Sequence, residues 1–115
     1  MRVLVCGGRE WNDPWPILRE LTKFHDGTVV IHGAARGADK LAGVVAEGLG
    51  FEVIPVAANW NKHHRAAGPI RNKKMLAMKP MIVLAFHEDI SKSKGTKDMV
   101  IIARKAGIET KVFSS

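Results

Sequence analysis

Hydrophobic residues recur along this chain in two patterns that alternate from one end to the other. Short, nearly continuous apolar runs, which are typical of buried strands, lie at residues 3–6, 28–32, 51–56, 81–86 and 110–113. The segments between these runs carry apolar residues at three- and four-residue spacing, which predicts amphipathic helices. The predicted helices begin near Pro14, Ala38, Pro69 and Thr96 and end near Asp26, Leu49, Pro80 and Gly107.

The alternation of strands and helices predicts an α/β fold. Strands that are apolar on both faces belong to a parallel sheet covered by helices on both sides, with right-handed crossovers. A chain of 115 residues fits one such core and is too short for two. We therefore expect a single Rossmann-like domain over residues 1–115, with a five-stranded parallel sheet of order 3-2-1-4-5 flanked by about four helices.

Composition excludes several classes of protein. Hydrophobic residues make up 46% of the chain and charged residues 25%, which is ordinary for a globular domain and unlike a disordered one. One cysteine excludes a disulfide scaffold, and the longest strongly apolar run, at 81–86, is far too short for a membrane helix. No secretory signal precedes the first strand, so we expect a cytoplasmic protein with no membrane partner.

Positive charge is concentrated in the second half of the chain. The net charge is +7: residues 62–115 hold 12 Lys and Arg against 4 Asp and Glu (+8), and residues 1–61 hold 6 against 7 (−1). A basic surface attracts nucleic acid or phosphorylated small molecules, and it also simply keeps a protein hydrated. Non-specific nucleic-acid binding is therefore one hypothesis, ranked behind those that rest on specific motifs.

A glycine pair and a cation follow the first predicted strand. Gly7 and Gly8 allow the backbone to turn sharply and to approach a ligand closely, and Arg9 adds a positive charge. A plain tight turn explains the two glycines equally well. Cys6, which ends the strand, has no evident base beside it, so we expect it to be a core residue rather than a nucleophile.

The second predicted strand leads into a glycine-rich turn that opens a helix. Gly33 and Gly37 lie in this turn, Arg36 stands between them, and Asp39 falls in the first helical turn. Unpaired N–H groups at a helix start favour phosphate, and Arg36 would add a counter-charge. Asp39 also suits the helix dipole, an interpretation that competes with any catalytic role. The turn is neither GxGxxG nor a P-loop, so it predicts an anion site of unassigned class.

A third cluster lies around the start of the third predicted helix. Trp60 stands among cations, where stacking on a base and anchoring a loop are equally good interpretations. Gly68, Arg71 and Asn72 follow, and the arginine and the amide would reach phosphate or ribose oxygens. No further ligands accompany the histidines of this cluster at metal-site spacing, so we predict no metal site.

The start of the last predicted helix is a further candidate anion site. Gly95 and Thr96 open this helix after a lysine-containing loop. The two longest irregular segments of the chain are 57–68 and 87–94, and both follow a strand. Ligands in α/β folds bind outside the carboxyl ends of the strands, so these segments are where we expect the chemistry.

Four ordered motifs together resemble the YspA-like branch of the SLOG superfamily. They are VCGGR at 5–9, HGAARGAD at 32–39, AAGPIRN at 66–72 and GTKDM at 95–99, and they span almost the whole chain. SLOG domains are Rossmann-like, and the superfamily includes the LOG phosphoribohydrolases, the DprA recombination mediators and predicted sensors of nucleotide-derived signals. The resemblance implies a nucleotide-related ligand and leaves enzyme and sensor open.

The LOG enzymes are similar to this chain at an arginine and differ from it at a carboxylate. The resemblance places Arg71 where those enzymes have a catalytic arginine, and Met99 where they have a glutamate. Asp98 lies one position earlier, about 100° around a helix, and is expected to point elsewhere. Glu88 and Asp89 in the loop 87–94 would replace the missing carboxylate if that loop crosses the pocket.

We expect this chain to bind a nucleotide or nucleotide-derived ligand, ADP-ribose-like or NAD-related, at the carboxyl ends of strands 1, 2 and 4. The alternative is a nucleotide hydrolase that cleaves an N-glycosidic or phosphate bond, with Arg71 and either Asp98 or Asp39 as catalytic groups. We expect no cofactor. Homo-oligomerisation is an expectation that comes only from the similarity to LOG enzymes.

Overall fold

A parallel sheet forms the centre of the computed structural model, which describes residues 1–115. Its strands are β1 (Arg2–Gly7), β2 (Val29–His32), β3 (Glu52–Pro55), β4 (Ile82–Phe86) and β5 (Glu109–Phe113). Every neighbouring pair is parallel, and the order across the sheet is β3-β2-β1-β4-β5. The α/β fold and the strand order predicted from the sequence are confirmed.

Helices connect the strands on both sides of the sheet. They are α1 (Pro14–Leu21), α2 (Ala38–Gly48), α3 (Trp60–His63), α4 (Ala67–Leu76) and α5 (Gly95–Lys105). Four of them are the predicted helices, whereas α3 and two 3-10 turns, at His64–Ala66 and Ile90–Lys92, lie in segments expected to be irregular. Local capping explains α3, because the Asn59 side chain accepts the Lys62 N–H (3.1 Å). None of the helices has the length and apolar character needed to cross a membrane.

Alternation along β1 divides the core into two layers. Val3 and Val5 are fully buried in a cluster on one face of the sheet that includes residues of α1 and α2, such as Ile17. Leu4 and Cys6 belong to a second cluster on the other face, with residues of α4 and α5. Both faces of the sheet are therefore covered, as the nearly continuous apolar strands predict. Cys6 is a core residue, and burial raises the pKa of its thiol.

Two loops are fastened together at the carboxyl edge of the sheet. The Gly8 carbonyl, just after β1, accepts the Trp11 N–H (3.2 Å) and the Ala38 N–H at the start of α2 (3.1 Å). Gly37 has φ +81, and a Cβ at this position would overlap the backbone of Gly8 and Arg9. The β1 loop therefore approaches the start of α2 so closely that only glycine fits between them.

We predict that Gly37→Ala destabilises the protein through backbone strain and overlap. Strain at such a φ costs about 1–3 kcal/mol, and the overlapping atoms belong to backbone that cannot move aside. Gly48→Ala is the matched control, because a Cβ there meets nothing within 4 Å and alanine favours a helix by about 0.5–1 kcal/mol. Urea unfolding measures both variants, and equal stability of the two would contradict this account of the junction.

Candidate functional site

A cleft of about 820 Å³ opens at the carboxyl edge of the sheet. Its walls are the loop after β1 and the beginnings of α2, α3, α4 and α5. Buried side chains form its floor, namely Cys6, Asp39, Asn72 and Met75. Exposed side chains surround its mouth, namely Arg9, Glu10, Trp60, Arg65 and Lys94. The volume lies within the range of small-molecule sites, about 300–1,000 Å³.

Most of the residues selected from the sequence lie together in this cleft. Those that line it are Gly7, Gly8, Arg9, Asp39, Trp60, Gly68, Arg71, Asn72, Gly95, Thr96 and Asp98. They come from segments as far apart in the chain as β1 and α5, and the parallel topology brings them to one edge because the strands end there.

Three of the selected residues do not line the cleft. Gly37 lies beneath the backbone of the β1 loop, and Arg36 pairs with Glu10 at the exposed surface. Gly33 supports the site indirectly, because its carbonyl accepts a hydrogen bond from Arg71 Nη1 (2.7 Å) and a Cβ there would clash with that guanidinium. Arg36 and Glu10 are both exposed, so the predicted role of Arg36 in phosphate binding stays a prediction.

Asn72 holds the two sides of the cleft together. It is only 2% exposed, and its Oδ1 accepts a hydrogen bond from Arg71 Nε (3.0 Å). Its Nδ2 donates to the Gly95 carbonyl (3.1 Å) and to Asp98 Oδ2 (2.9 Å). The amide therefore connects α4 to the start of α5 and fixes both Arg71 and Asp98. Both N–H groups of the Asn72 amide are used within the protein, so Asn72 positions other side chains and has no free donor for a ligand.

Asp98 lies in the cleft, contrary to the expectation that it points elsewhere. Met99, which occupies the position of the LOG glutamate, is fully buried in the core. The step of about 100° between neighbouring helical residues turns Asp98 toward the cleft when Met99 faces the sheet. Glu88 and Asp89 are not lining residues, and the loop 87–94 contributes His87, Ser93 and Lys94 instead.

Some lining residues were not selected from the sequence. They are Cys6, Glu10, Ala35, Arg65, Pro69, Met75, His87, Ser93 and Lys94. A capping signal could have found Ser93, whose Oγ accepts the Thr96 N–H (3.0 Å) at the start of α5. Cys6 and Met75 carry no such signal, because they belong to the apolar core and only border the floor.

The mouth of the cleft combines an aromatic ring with cations. The Arg9 guanidinium carbon lies 5.9 Å from the centre of the Trp60 ring, within cation–π range. Trp60 is 48% exposed, so much of the indole is accessible. Arg9 donates no hydrogen bond to another part of the protein, which leaves its guanidinium free to bind an anion.

Three helices begin at the cleft, and two of them lack a side-chain cap. No side chain caps the start of α2 or α4, whereas at the start of α5 the Ser93 Oγ accepts the Thr96 N–H. The lining residues Gly68, Gly95 and Thr96 belong to the first turns of α4 and α5. Helix starts carry a partial positive charge and N–H groups that lack helical partners, so this edge of the sheet favours an anion.

Sequence comparison connects this geometry to a known family. Residues 1–63, from β1 through α3, match the YspA, cpYpsA-related SLOG family. The chain belongs to this SLOG family. Membership indicates a nucleotide-related function, and the match contains the Gly7–Arg9 turn, Asp39 and Trp60.

A relative extends the similarity of this SLOG domain beyond residue 63. The gene 61 protein of Mycobacterium phage D29 is 40% identical over 116 residues, an alignment that covers 93% of this chain and 91% of the phage protein. Coverage on this scale takes in most of the sheet and helices of the SLOG domain, including the region of α4 and α5 that the family match omits.

Asp39 is the most unusual ionisable group in the SLOG domain. It is 5% exposed, its Oδ2 accepts the Ala35 N–H (3.2 Å), and its Oδ1 has no hydrogen-bond partner in the protein. Burial raises the pKa of this carboxyl from 3.8 to about 6, although the Ala35 and Gly33 amides, Arg71 and Arg9 act in the opposite direction. Asp39 is therefore largely ionised at neutral pH, at a cost to the folded state.

We predict that Asp39→Asn changes how stability depends on pH. Because the folded carboxyl binds its proton more tightly than the unfolded one, the contribution of Asp39 to the stability of the wild-type protein falls as pH rises from about 4 to about 6. The asparagine variant lacks this loss, so its stability relative to wild type should rise by up to about 3 kcal/mol between pH 4 and pH 7. Urea unfolding at several pH values measures the difference.

The control for this prediction is Asp26→Asn at an exposed turn, which makes the same change in net charge. A rise of similar size in that variant would assign the effect to net charge instead of to burial. If the difference in unfolding free energy between the wild-type protein and Asp39→Asn does not change with pH, the pKa of the buried carboxyl is not raised.

Proposed function

We propose that this SLOG domain binds a nucleotide-derived ligand, ADP-ribose-like or NAD-related, in the cleft at the carboxyl edge of its sheet. The observation that carries this proposal is the convergence of three helix starts and two arginines, Arg9 and Arg71, on one cleft. Family membership supports the nucleotide class, and the specific ligand is our own inference.

The phosphate end of the ligand is assigned to the arginines and the start of α5. Arg71 is held by the Gly33 carbonyl and by Asn72, so its guanidinium is already oriented when a ligand arrives. Arg9 is exposed and adjustable. Backbone N–H groups near Gly95 and Thr96 add the partial positive charge of a helix start, and together these groups suit a phosphate or diphosphate.

The base of the ligand is assigned to Trp60 at the mouth of the cleft. An exposed indole offers a flat apolar face, and stacking of a base on an aromatic side chain is worth about 1–3 kcal/mol. The Arg9 guanidinium carbon lies 5.9 Å from the centre of the Trp60 ring, so Arg9 would neutralise a phosphate group of the ligand close to the stacked base. A bound nucleotide would thus replace part of the Arg9–Trp60 contact with stacking.

We predict that Arg9→Ala weakens nucleotide binding without unfolding the protein. Isothermal titration calorimetry of AMP, ADP, ADP-ribose, NAD and cyclic dinucleotides identifies the tightest ligand of the wild-type protein. Loss of a charge-assisted hydrogen bond costs about 1.5–3 kcal/mol, so affinity for that ligand should fall roughly 10- to 150-fold. Arg9 has no hydrogen bond within the protein to lose, so thermal stability should be nearly unchanged.

Arg104→Ala is the matched control, because Arg104 is an exposed arginine in the last turn of α5, away from the cleft. It removes the same charge and should leave affinity within about twofold. Equal weakening in both variants would indicate a general electrostatic effect. Absence of binding by the whole panel would overturn the proposal.

A nucleotide hydrolase is the second candidate, favoured by the position of Asp98. This carboxylate lies in the cleft, and Asn72 connects it to Arg71. In N-glycosidic hydrolysis, water adds to the ribose C1′ while the C1′–N bond breaks, a carboxylate takes a proton from water, and the departing base gains one. Asp98 or Asp39 would supply the carboxylate, and Arg71 would hold the phosphate.

We predict no turnover of nucleoside monophosphates at ordinary enzymatic rates, about 1 per second or faster. The reason is that Met99 replaces the LOG glutamate and Asp98 is one carbon shorter and tied to Asn72. Chromatography for free base and ribose 5-phosphate after long incubation measures the reaction. Turnover that disappears in Asp98→Asn and in Arg71→Ala would make the hydrolase the better assignment.

A further inference from the structure

The floor of the cleft holds a carboxylate oxygen that the fold leaves without a partner. Asp39 is only 5% exposed, and it lines the cleft together with Gly8 and Ala35. Its Oδ2 accepts the Ala35 N–H, whereas Oδ1 accepts nothing from the protein. Folded proteins rarely leave a buried carboxylate oxygen unpaired, because its desolvation is then uncompensated.

Neighbouring groups stabilise the charge of Asp39, but none of them forms a hydrogen bond with Oδ1. The Gly33 amide, Arg9 and Arg71 act on the carboxylate, yet neither guanidinium forms an ion pair with it, and Arg71 is directed to the Gly33 carbonyl and Asn72 instead. The Cys6 thiol borders the same floor and is a weak donor. Asp39 lines the cleft, so a donor on a bound ligand can approach this carboxylate.

A hydrogen-bond donor on a ligand that reaches the floor of the cleft would give Asp39 Oδ1 the partner that it lacks in the protein. We propose that Asp39 accepts a hydrogen bond from a ribose hydroxyl of the bound nucleotide, so that the cleft distinguishes ribonucleotide from deoxyribonucleotide ligands. This inference rests on the proposed nucleotide site. An ionised carboxylate is the acceptor that binds a hydroxyl most strongly, and it repels phosphate oxygens, so the phosphate itself cannot occupy this position.

The order of groups in the cleft favours the sugar over the base. The indole of Trp60 is at the exposed mouth, whereas Asp39 is at the floor. Arg71, assigned to phosphate, is close enough to Asp39 to affect its ionisation. In a nucleotide the sugar is the group bonded directly to the phosphate, so phosphate on Arg71 brings ribose hydroxyls near the floor while the base extends toward the mouth.

The test compares hydroxyl removal with removal of the carboxylate. The probes are AMP and ADP, each with its 2′-deoxy and 3′-deoxy analogue, titrated into the wild-type protein and Asp39→Asn by calorimetry. Asparagine keeps an acceptor for the Ala35 N–H while it removes the charge. We expect one deoxy analogue to bind the wild-type protein about tenfold or more weakly than its parent, and this ratio to fall to about threefold or less in Asp39→Asn.

Two variants keep the result specific. Asp26→Asn, with the same change in net charge at an exposed turn, should retain the wild-type ratio. Asp98→Asn removes the charge of the other aspartate that lines the cleft. If the affinity ratio of parent nucleotide to deoxy analogue is lost in Asp98→Asn and kept in Asp39→Asn, the hydroxyl binds Asp98 and the inference is wrong. Circular dichroism and thermal unfolding show whether each variant is folded.

The outcomes separate the inference from the proposed function. If Arg9→Ala weakens AMP or ADP binding while neither deoxy analogue differs from its parent in the wild-type protein, the nucleotide site stands and the role of Asp39 is wrong. If the wild-type protein binds neither AMP nor ADP, the inference fails as stated, and the wider panel decides separately whether the nucleotide site survives through another ligand.

Discussion

One buried amide determines how the two halves of the cleft meet. Asn72 accepts the Arg71 N–H and donates to Gly95 and Asp98, so the middle of α4 is connected to the first turn of α5. Because this side chain is 2% exposed, water does not compete effectively for its hydrogen bonds. The orientation of Arg71, the position of Asp98 and the start of α5 all depend on this one residue, and so does the phosphate site that we infer from them.

The fold was predictable from the sequence because its signals are local and repeated. The central strands are short apolar runs, such as Ile82–Phe86, in which every residue is buried, and a parallel sheet covered on both faces requires that pattern. Helix α1 begins at Pro14 after the capping Asp13, as its composition indicates. The convergence of the glycine turns and Arg71 was also predictable, because parallel strands direct their carboxyl ends to one edge whatever the sequence between them.

The remaining features of the site depend on contacts that no local pattern reports. Arg36 is predicted from the sequence to bind phosphate, and its exposed ion pair with Glu10, 26 positions away, has no local sequence signal. Asp98 was expected to point elsewhere, because the resemblance to LOG enzymes places their glutamate at Met99, one position later in the helix. The rotation of α5 places Met99 in the core, and only the packing of that helix on the sheet reveals this rotation. A similarity of motif therefore identified the helix but not the face that it presents.

The separation of core from cleft explains why an ionised carboxylate can remain buried at Asp39. Two apolar clusters, with 13 and 10 buried residues, cover the two faces of the sheet, and the sheet supports them regardless of what its loops bind. A cost of about 3 kcal/mol is a large part of the typical net stability of a small domain, so the carboxylate is not neutral for folding. An apolar residue or an amide at that position would spare the fold this cost. An oxygen of Asp39 that finds no hydrogen-bond partner in the protein is the observation from which we infer a donor on a bound ligand.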